Sequence, residues 1–306
     1  MHAFRFAVQL SKAGSVDEWV AAARRAEALG YDVVSVPDHV GPQLSPFAAL
    51  TAAAAATRTI RVGTFVLDND FRHPLLMAHE AATVHLLSRG RLELGLGVGW
   101  LGRDYERLGV TFDEPRVRFE RLREAVEIVE RYFAGDPFSF EGNHYTVSEA
   151  EPLRLPLGME RPPLLIGAGG RRMLSLAARH ADTASVFGTS RRDGSGFDEE
   201  DFRADAYRRK IEHLRAEAGG KEVEVNVLLQ SFEVTDDRAG AAGRHAADFE
   251  TTGEDYLELP FGLVGTIDEI VEDLVRRREE YGISYVTVFA EHLETFGPVV
   301  KRLSGT

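Results

Sequence analysis

Cysteine is absent from all 306 residues. That excludes disulfides, thiolate metal sites and cysteine nucleophiles. Lysine is scarce too: four residues stand against 32 arginines. Net charge is −13, the wrong sign for a chain whose main partner is nucleic acid or an anionic membrane. Long hydrophobic runs are missing. The one small-residue run, 48–56, is too short and too poor in large apolar groups to span a bilayer. The first residues enter a strand pattern with no signal-peptide character, so a cytoplasmic chain acting on a small molecule is expected. No H-E-x-x-H motif is present among the ten scattered histidines, and no metal site is expected. No G-x-S-x-G elbow is present either, which argues against a serine hydrolase.

What the chain does have is a core and an alternation. Apolar residues make up 44% of it. Strand-like runs at 4–10, 32–36, 60–67, 91–97, 162–168, 182–187, 222–234 and 284–289 alternate with helical patterns. The helical patterns fall at 15–30, 45–57, 73–88, 115–133, 171–181, about 199–217 and 267–281. Ser15 with Glu18 has the spacing of a capping box, and Gly30 that of a C-terminal cap. Eight strands alternating with helices predict an α/β fold, a (β/α)8 TIM barrel with loop insertions at its C-terminal rim. It is expected to form one domain over 1–306. A doubly wound sheet is the weaker layout, because no G-x-G-x-x-G follows the first strand. Three stretches exceed ordinary connections: 97–114, 135–161 and 188–200. The last, acidic and rich in glycine and serine, reads as a mobile solvated loop.

In such barrels the active site lies at the C-terminal ends of the strands. Asp38 and His39 follow the second strand, "DNDFRHP" (68–74) the third, "GVGW" (97–100) the fourth and "GAGG" (167–170) the fifth. All four segments therefore share one rim. His39 is suited to exchange a proton near neutral pH, and the adjacent Asp38 is a candidate to tune it. Asp38 as a turn cap and His39 as an ordinary rim histidine stand as the plain alternatives. The glycines at 95, 97 and 99 read either as relief of crowding or as room for a ligand.

These segments resemble the luciferase-like monooxygenase superfamily, and "VLDNDFRHP" resembles its coenzyme F420-dependent branch. The likeness runs along nearly the whole chain through "GYDVVSVPDH", "VGTFVLDNDFRHP", "GRLELGLGVGW…DYERLG" and "PPLLIGAGGRRMLSLAARHAD". The resemblance implies an oxidoreductase that passes hydride between F420 and a small organic substrate. It places a functional histidine at His39, with Asp38 beside it. It puts a non-prolyl cis peptide at Phe65–Val66 against the cofactor ring, with Gly97 and Gly99 near it. Ala168, Gly169, Gly170 and Arg171 then hold the cofactor phosphate at a helix start. Asp68, Asn69 and Trp100 are expected to face substrate, with a plain core tryptophan as the alternative for Trp100. Trp100 departs from the glutamate acid that the family's sugar-phosphate dehydrogenases carry there. That favours an apolar pocket wall over a sugar-phosphate site. The resemblance also implies dimers, and helices 45–57 and 73–88, with Leu, Met and Ala on several faces, are the candidate homodimer interface. Two other readings stay open: an FMN-dependent two-component monooxygenase served by a separate reductase, and a non-catalytic flavin-binding barrel.

Overall fold

The computed structural model describes residues 2–306. β1 (Arg5–Gln9) leads into α1 (Val16–Leu29). Ser15 Oγ accepts from the Glu18 N–H at 3.2 Å at the start of α1, and Gly30 reverses the chain at its end with φ 87°. β2 (Val33–Val36), α2 (Pro46–Ala56), β3 (Arg61–Thr64), β4 (Leu67–Asp68), α3 (Pro74–Leu87) and β5 (Leu92–Gly97) follow. Next come α4 (Gly102–Leu108), α5 (Pro115–Ala134), β6 (Phe138–Glu141), β7 (Thr146–Ala150) and β8 (Leu164–Ala168). α6 (Arg171–His180), β9 (Thr183–Val186), α7 (Ala204–Ala218), β10 (Glu224–Leu228) and β11 (Ser231–Val234) continue the chain. It ends with α8 (Arg238–Ala246), α9 (Gly253–Glu258), β12 (Gly262–Gly265), α10 (Ile267–Tyr281), β13 (Ile283–Phe289) and α11 (Gly297–Leu303).

Eight strands close a parallel ring in the order β1, β2, β3, β5, β8, β9, β10, β13 and back to β1. This is the (β/α)8 barrel that the alternation predicts. The main apolar core lies between the ring and its helices, as the four fully buried residues of β2 show. A second cluster, with Ala7, Val33, Phe65, Leu165 and Tyr285, fills the ring itself. No helix among the described residues is long and apolar enough to cross a membrane.

The structure corrects four details of the sequence reading. The third strand breaks within 60–67, between β3 and β4, at the Phe65–Val66 peptide, which is cis as the resemblance implies. Gly63 pairs with Glu93 but Leu67 with Leu96, so four steps along this edge match three along β5. The extra residue bulges toward the barrel axis. The stretch 222–234 is two strands: β10 stays in the ring, while β11 leaves it to pair with β12. The stretch 135–161 carries the antiparallel β6–β7 hairpin, and 97–114 carries α4. Helices α8, α9 and α11 were not anticipated; α8 and α9 pack into a small separate cluster around Tyr256.

At the N-terminal end of the ring the charges close on one another. Arg5 donates to Glu93 at 2.7 Å and to Glu224 at 2.8 Å, and Arg61 donates to Glu93 at 2.7 Å. Arg5 also stacks over the Tyr285 ring at 4.2 Å. Burial alone would raise the Glu93 carboxyl, yet Arg5 and Arg61 outweigh it and hold Glu93 below its ordinary value.

Candidate active site

The C-terminal end of the barrel opens into a cavity of about 620 Å³, within the usual range for cofactor sites. Its floor is the kink at Phe65 and Val66. A Cβ on Gly95 would lie 2.1 Å from the Thr64 carbonyl oxygen, and one on Gly97 would lie 2.7 Å from Val66 Cγ2. Both glycines of β5 therefore make room for the kink, so here the crowding explanation is correct. Gly97 and Gly99 also line the cavity.

His39 lines the same cavity, directly after β2. Its Nδ1 lies 2.7 Å from Asp104 Oδ2, and Asp104 is only 1% exposed. With the carboxylate accepting, Nδ1 carries a proton and Nε2, which has no partner among the described residues, is the exchangeable nitrogen. Trp100 meets the imidazole edge-on, with ring centroids 5.7 Å apart. Arg107 donates to the other Asp104 oxygen at 3.2 Å, so the carboxylate is fixed from both sides.

Asp38 does not act on His39, which corrects that expectation. Consecutive side chains leave the turn in different directions. Both Asp38 oxygens bind the Arg72 guanidinium, and one also accepts the Asp68 N–H at 3.1 Å. Burial would lower the Arg72 pKa, but Asp38 outweighs it and holds the guanidinium above its ordinary value. Asp38 thus ties the end of β2 to the end of β4 and positions the rim. Asn69 is a second correction. It is fully buried and donates to Tyr145 Oη at 3.1 Å, because the 3-10 turn 69–71 directs it at the β6–β7 hairpin. It does not line the cavity. Asp68 does, with Trp100, Ala168, Gly169, Gly170 and Arg171.

The segment 188–200 is largely exposed, as its composition suggests, yet it also contributes to the site. Gly188, Thr189, Ser190 and Phe197 form cavity wall, and Ser190 bridges Phe197 in an antiparallel pair. Phe197 packs on Trp100 at 4.8 Å and on Phe187 at 4.8 Å. Lys210 secures the segment from below by donating to Asp201 at 2.8 Å and to the Phe187 carbonyl at 2.7 Å. This aromatic wall was hidden because Phe197 is surrounded in sequence by Gly, Ser, Asp and Glu. Asp104 was hidden because it lies 65 positions from its partner.

α6 begins at the cavity with no side chain capping its N-terminus. Its first backbone N–H groups are thus free for an anion. Arg171 and Arg172 are exposed at the mouth and make no salt bridge within the described residues. A Cβ on Gly169 would lie 2.4 Å from the Gly188 carbonyl oxygen, whereas one on Gly170 meets nothing nearer than 3.8 Å. Neither glycine has positive φ. Gly169 is therefore fixed by backbone contact with 188–189, and Gly170 is sterically free.

Residues 1–269 match the family model described as luciferase-like monooxygenase. The chain belongs to the luciferase-like monooxygenase family. Over 165 residues it is 35% identical to an F420-dependent glucose-6-phosphate dehydrogenase of Microbacterium testaceum, covering 51% of this chain and 48% of that one. Over 157 residues it is 34% identical to a 5,10-methylenetetrahydromethanopterin reductase of Archaeoglobus fulgidus, covering 51% of this chain and 45% of that one. The chain thus spans about half the length of the curated relatives it matches. Among solved structures, the F420-dependent tetrahydromethanopterin reductase of Methanopyrus kandleri superposes with a TM-score of 0.76 at 19% identity, covering 99% of this chain and all of that one. The EDTA monooxygenase of Chelativorans superposes equally well, at 0.76 and 16% identity, covering 99% of this chain and 93% of that one. At such identities these structures establish the barrel of the luciferase-like family and nothing finer.

Proposed function

We propose that this luciferase-like protein is an oxidoreductase that moves hydride between coenzyme F420 and a small organic substrate. The observation that carries the reading is a single cavity that joins the kinked floor at Phe65–Val66, the His39–Asp104 pair and the uncapped start of α6. The choice of F420 is supported by the two curated relatives, one named for F420 itself. The residues fit such a group. A flat ring would lie against Phe65 and Val66, and a phosphate would meet the N–H groups of α6 with Arg171 and Arg172 beside it. When bound, F420 supplies a two-electron carbon centre for hydride exchange.

The chain's own residues do the rest. His39 Nε2 holds or takes the proton that accompanies hydride, and Asp104 fixes the ring and its tautomer. Trp100, Phe197 and Phe187 exclude water and hold an apolar substrate body. A phosphorylated sugar finds no acid at 100. Leu76 and Leu87, exposed on α3 at 53% and 63%, favour a homodimer through α2 and α3. Sedimentation at several concentrations checks that pairing, and a monomer throughout would refute it.

Equilibration with equal amounts of F420 and FMN, removal of free cofactor, and the absorption spectrum and mass of what stays bound test the reading. Retained F420 supports it. Retained FMN alone shifts the protein to a reductase-served monooxygenase.

A further inference from the structure

Three carboxylates crowd the rim behind the kink: Asp38, Asp68 and Asp70. Asp38 has Arg72 on both oxygens. Asp70 has Arg121 at 2.8 Å. Asp68 has no cation within salt-bridge reach among the described residues, although it is only 8% exposed. Its Oδ1 accepts from Tyr105 Oη at 3.0 Å and from the Asp70 N–H at 3.0 Å. Its Oδ2 has no hydrogen-bond partner among the described residues. That oxygen faces Gly99, where a Cβ would lie 2.2 Å from it, and both residues line the cavity.

Every charged neighbour is otherwise engaged. Arg72 at the start of α3 is bound to Asp38, and Arg121 of α5 to Asp70 and Asp113. Arg118 of α5 donates to the Val98 and Gly99 carbonyls and stacks on Phe112 at 3.9 Å. Tyr105 of α4 keeps its proton, since burial and the Asp68 and Asp70 carboxylates raise it far above its ordinary value. Asp68 therefore meets two like charges in a buried place and feels a cation only at a distance, through the Arg72 already held by Asp38, which disfavours its ionised form. Burial first, with Asp70 and Asp38 adding to it, pushes Asp68 up to about 7.

We propose that Asp68 is a carboxylic acid in the resting protein and offers its Oδ2–H into the cavity, as hydrogen-bond donor to a carbonyl oxygen of the heterocycle that lies on the Phe65–Val66 floor. The ligand half of this rests on the ring placement of the preceding section; the proton half rests on the protein alone. Other polar side chains, among them Gln9, Ser185 and Gln230, line the cavity too; the Asp68 carboxyl differs from these amides and hydroxyls in that its proton decides whether it donates or only accepts. An ionised Asp68 would set an acceptor against an acceptor and repel the same ring. The effect is a site that favours its ligand below neutral pH.

Two measurements test it. Infrared difference spectra of the ligand-free protein should show a protonated-carboxyl C=O stretch at about pH 6 that is lost by about pH 8.5. The band should be missing from Asp68→Asn at every pH. Lack of an Asp68-dependent band at the lower pH overturns the protonation, whichever cofactor binds. Fluorescence titration with oxidised F420, and separately with FMN, tests the ligand half. Wild-type affinity should fall about tenfold per pH unit above about 7 relative to Asp68→Asn, whose amide still donates. Asp68→Ala should bind about tenfold more weakly at low pH. Parallel pH profiles for wild type and Asp68→Asn, or an alanine variant as tight as wild type, overturn the donor role. If the wild type binds neither cofactor, the ring placement fails, and the infrared band still decides the proton.

Discussion

At the N-terminal end of the barrel, Arg5 and Arg61 converge on Glu93 and Arg5 reaches on to Glu224. At the C-terminal end, Asp38 and Asp70 are paired in the same manner, but Asp68 has no cation and His39 leaves Nε2 open. Both ends bury charge inside one ring of strands. The first end pairs Glu93 and Glu224 with arginine; the second leaves specific atoms unpaired around a cavity of about 620 Å³. Unpaired ionisable groups are costly in a buried place, so two of them on the wall of one cavity mark where a ligand completes the structure.

The sharpest way to break this comparison is to damage each end separately. Glu93→Gln leaves Arg61 without its carboxylate and Arg5 with Glu224 alone, and should cost about 3 kcal/mol of stability in denaturant unfolding. The folded fraction should keep its cofactor affinity within about twofold. A loss below ~1 kcal/mol would mean that this end does not clamp the barrel.

His39→Ala should do the reverse. Turnover should fall at least ~10²-fold, the scale of lost acid–base help, with stability and cofactor affinity nearly unchanged. Asp104→Asn should lower turnover by about tenfold or more, since the amide no longer fixes the working tautomer. Near-wild-type turnover in His39→Ala would remove the pair from the mechanism.

A pH-graded effect separates Asp68 from the paired carboxylates. Its folded pKa of about 7 lies above the ordinary carboxyl value, so the folded protein retains a proton that the unfolded chain has already released. The stability this provides is complete below about pH 4 and is lost as pH rises toward 7. Wild type should therefore lose about 1.4 kcal/mol per pH unit relative to Asp68→Asn across that window, levelling above it. Chemical denaturation at several pH values reads the difference. Parallel curves would mean that Asp68 is ionised throughout.

The barrel itself was legible because strand and helix alternate with clear caps: Ser15 and Gly30 close α1, and Pro46 and Pro74 open α2 and α3. The rim segments were legible because each follows a strand. What stayed hidden was which rim side chains meet. Asp38 is adjacent to His39 in the chain yet pairs with Arg72, 34 positions on. Asp104, the true partner of His39, sits on a short helix within a stretch that read as a long connection. Phe197 was masked by its polar surroundings, and its position became clear only from the rings of Trp100 and Phe187. Local patterns specify elements; contacts between loops far apart in sequence leave no local pattern.

The glycine turn before α6 offers the most direct measurement. Gly170 is the N-cap of α6, and a side chain there meets no protein atom nearer than 3.8 Å. Aspartate is a favoured N-cap residue, so Gly170→Asp should fold and keep or slightly raise its melting temperature. The same carboxylate would occupy and neutralise the place proposed for the cofactor phosphate. F420 affinity, titrated for wild type and Gly170→Asp, should fall at least about tenfold in the variant, roughly the loss of one charge-assisted hydrogen bond. The phosphate-free deazaflavin core should bind both proteins alike. A folded Gly170→Asp protein that binds F420 as tightly as wild type would contradict the assignment of this end of the barrel to the cofactor.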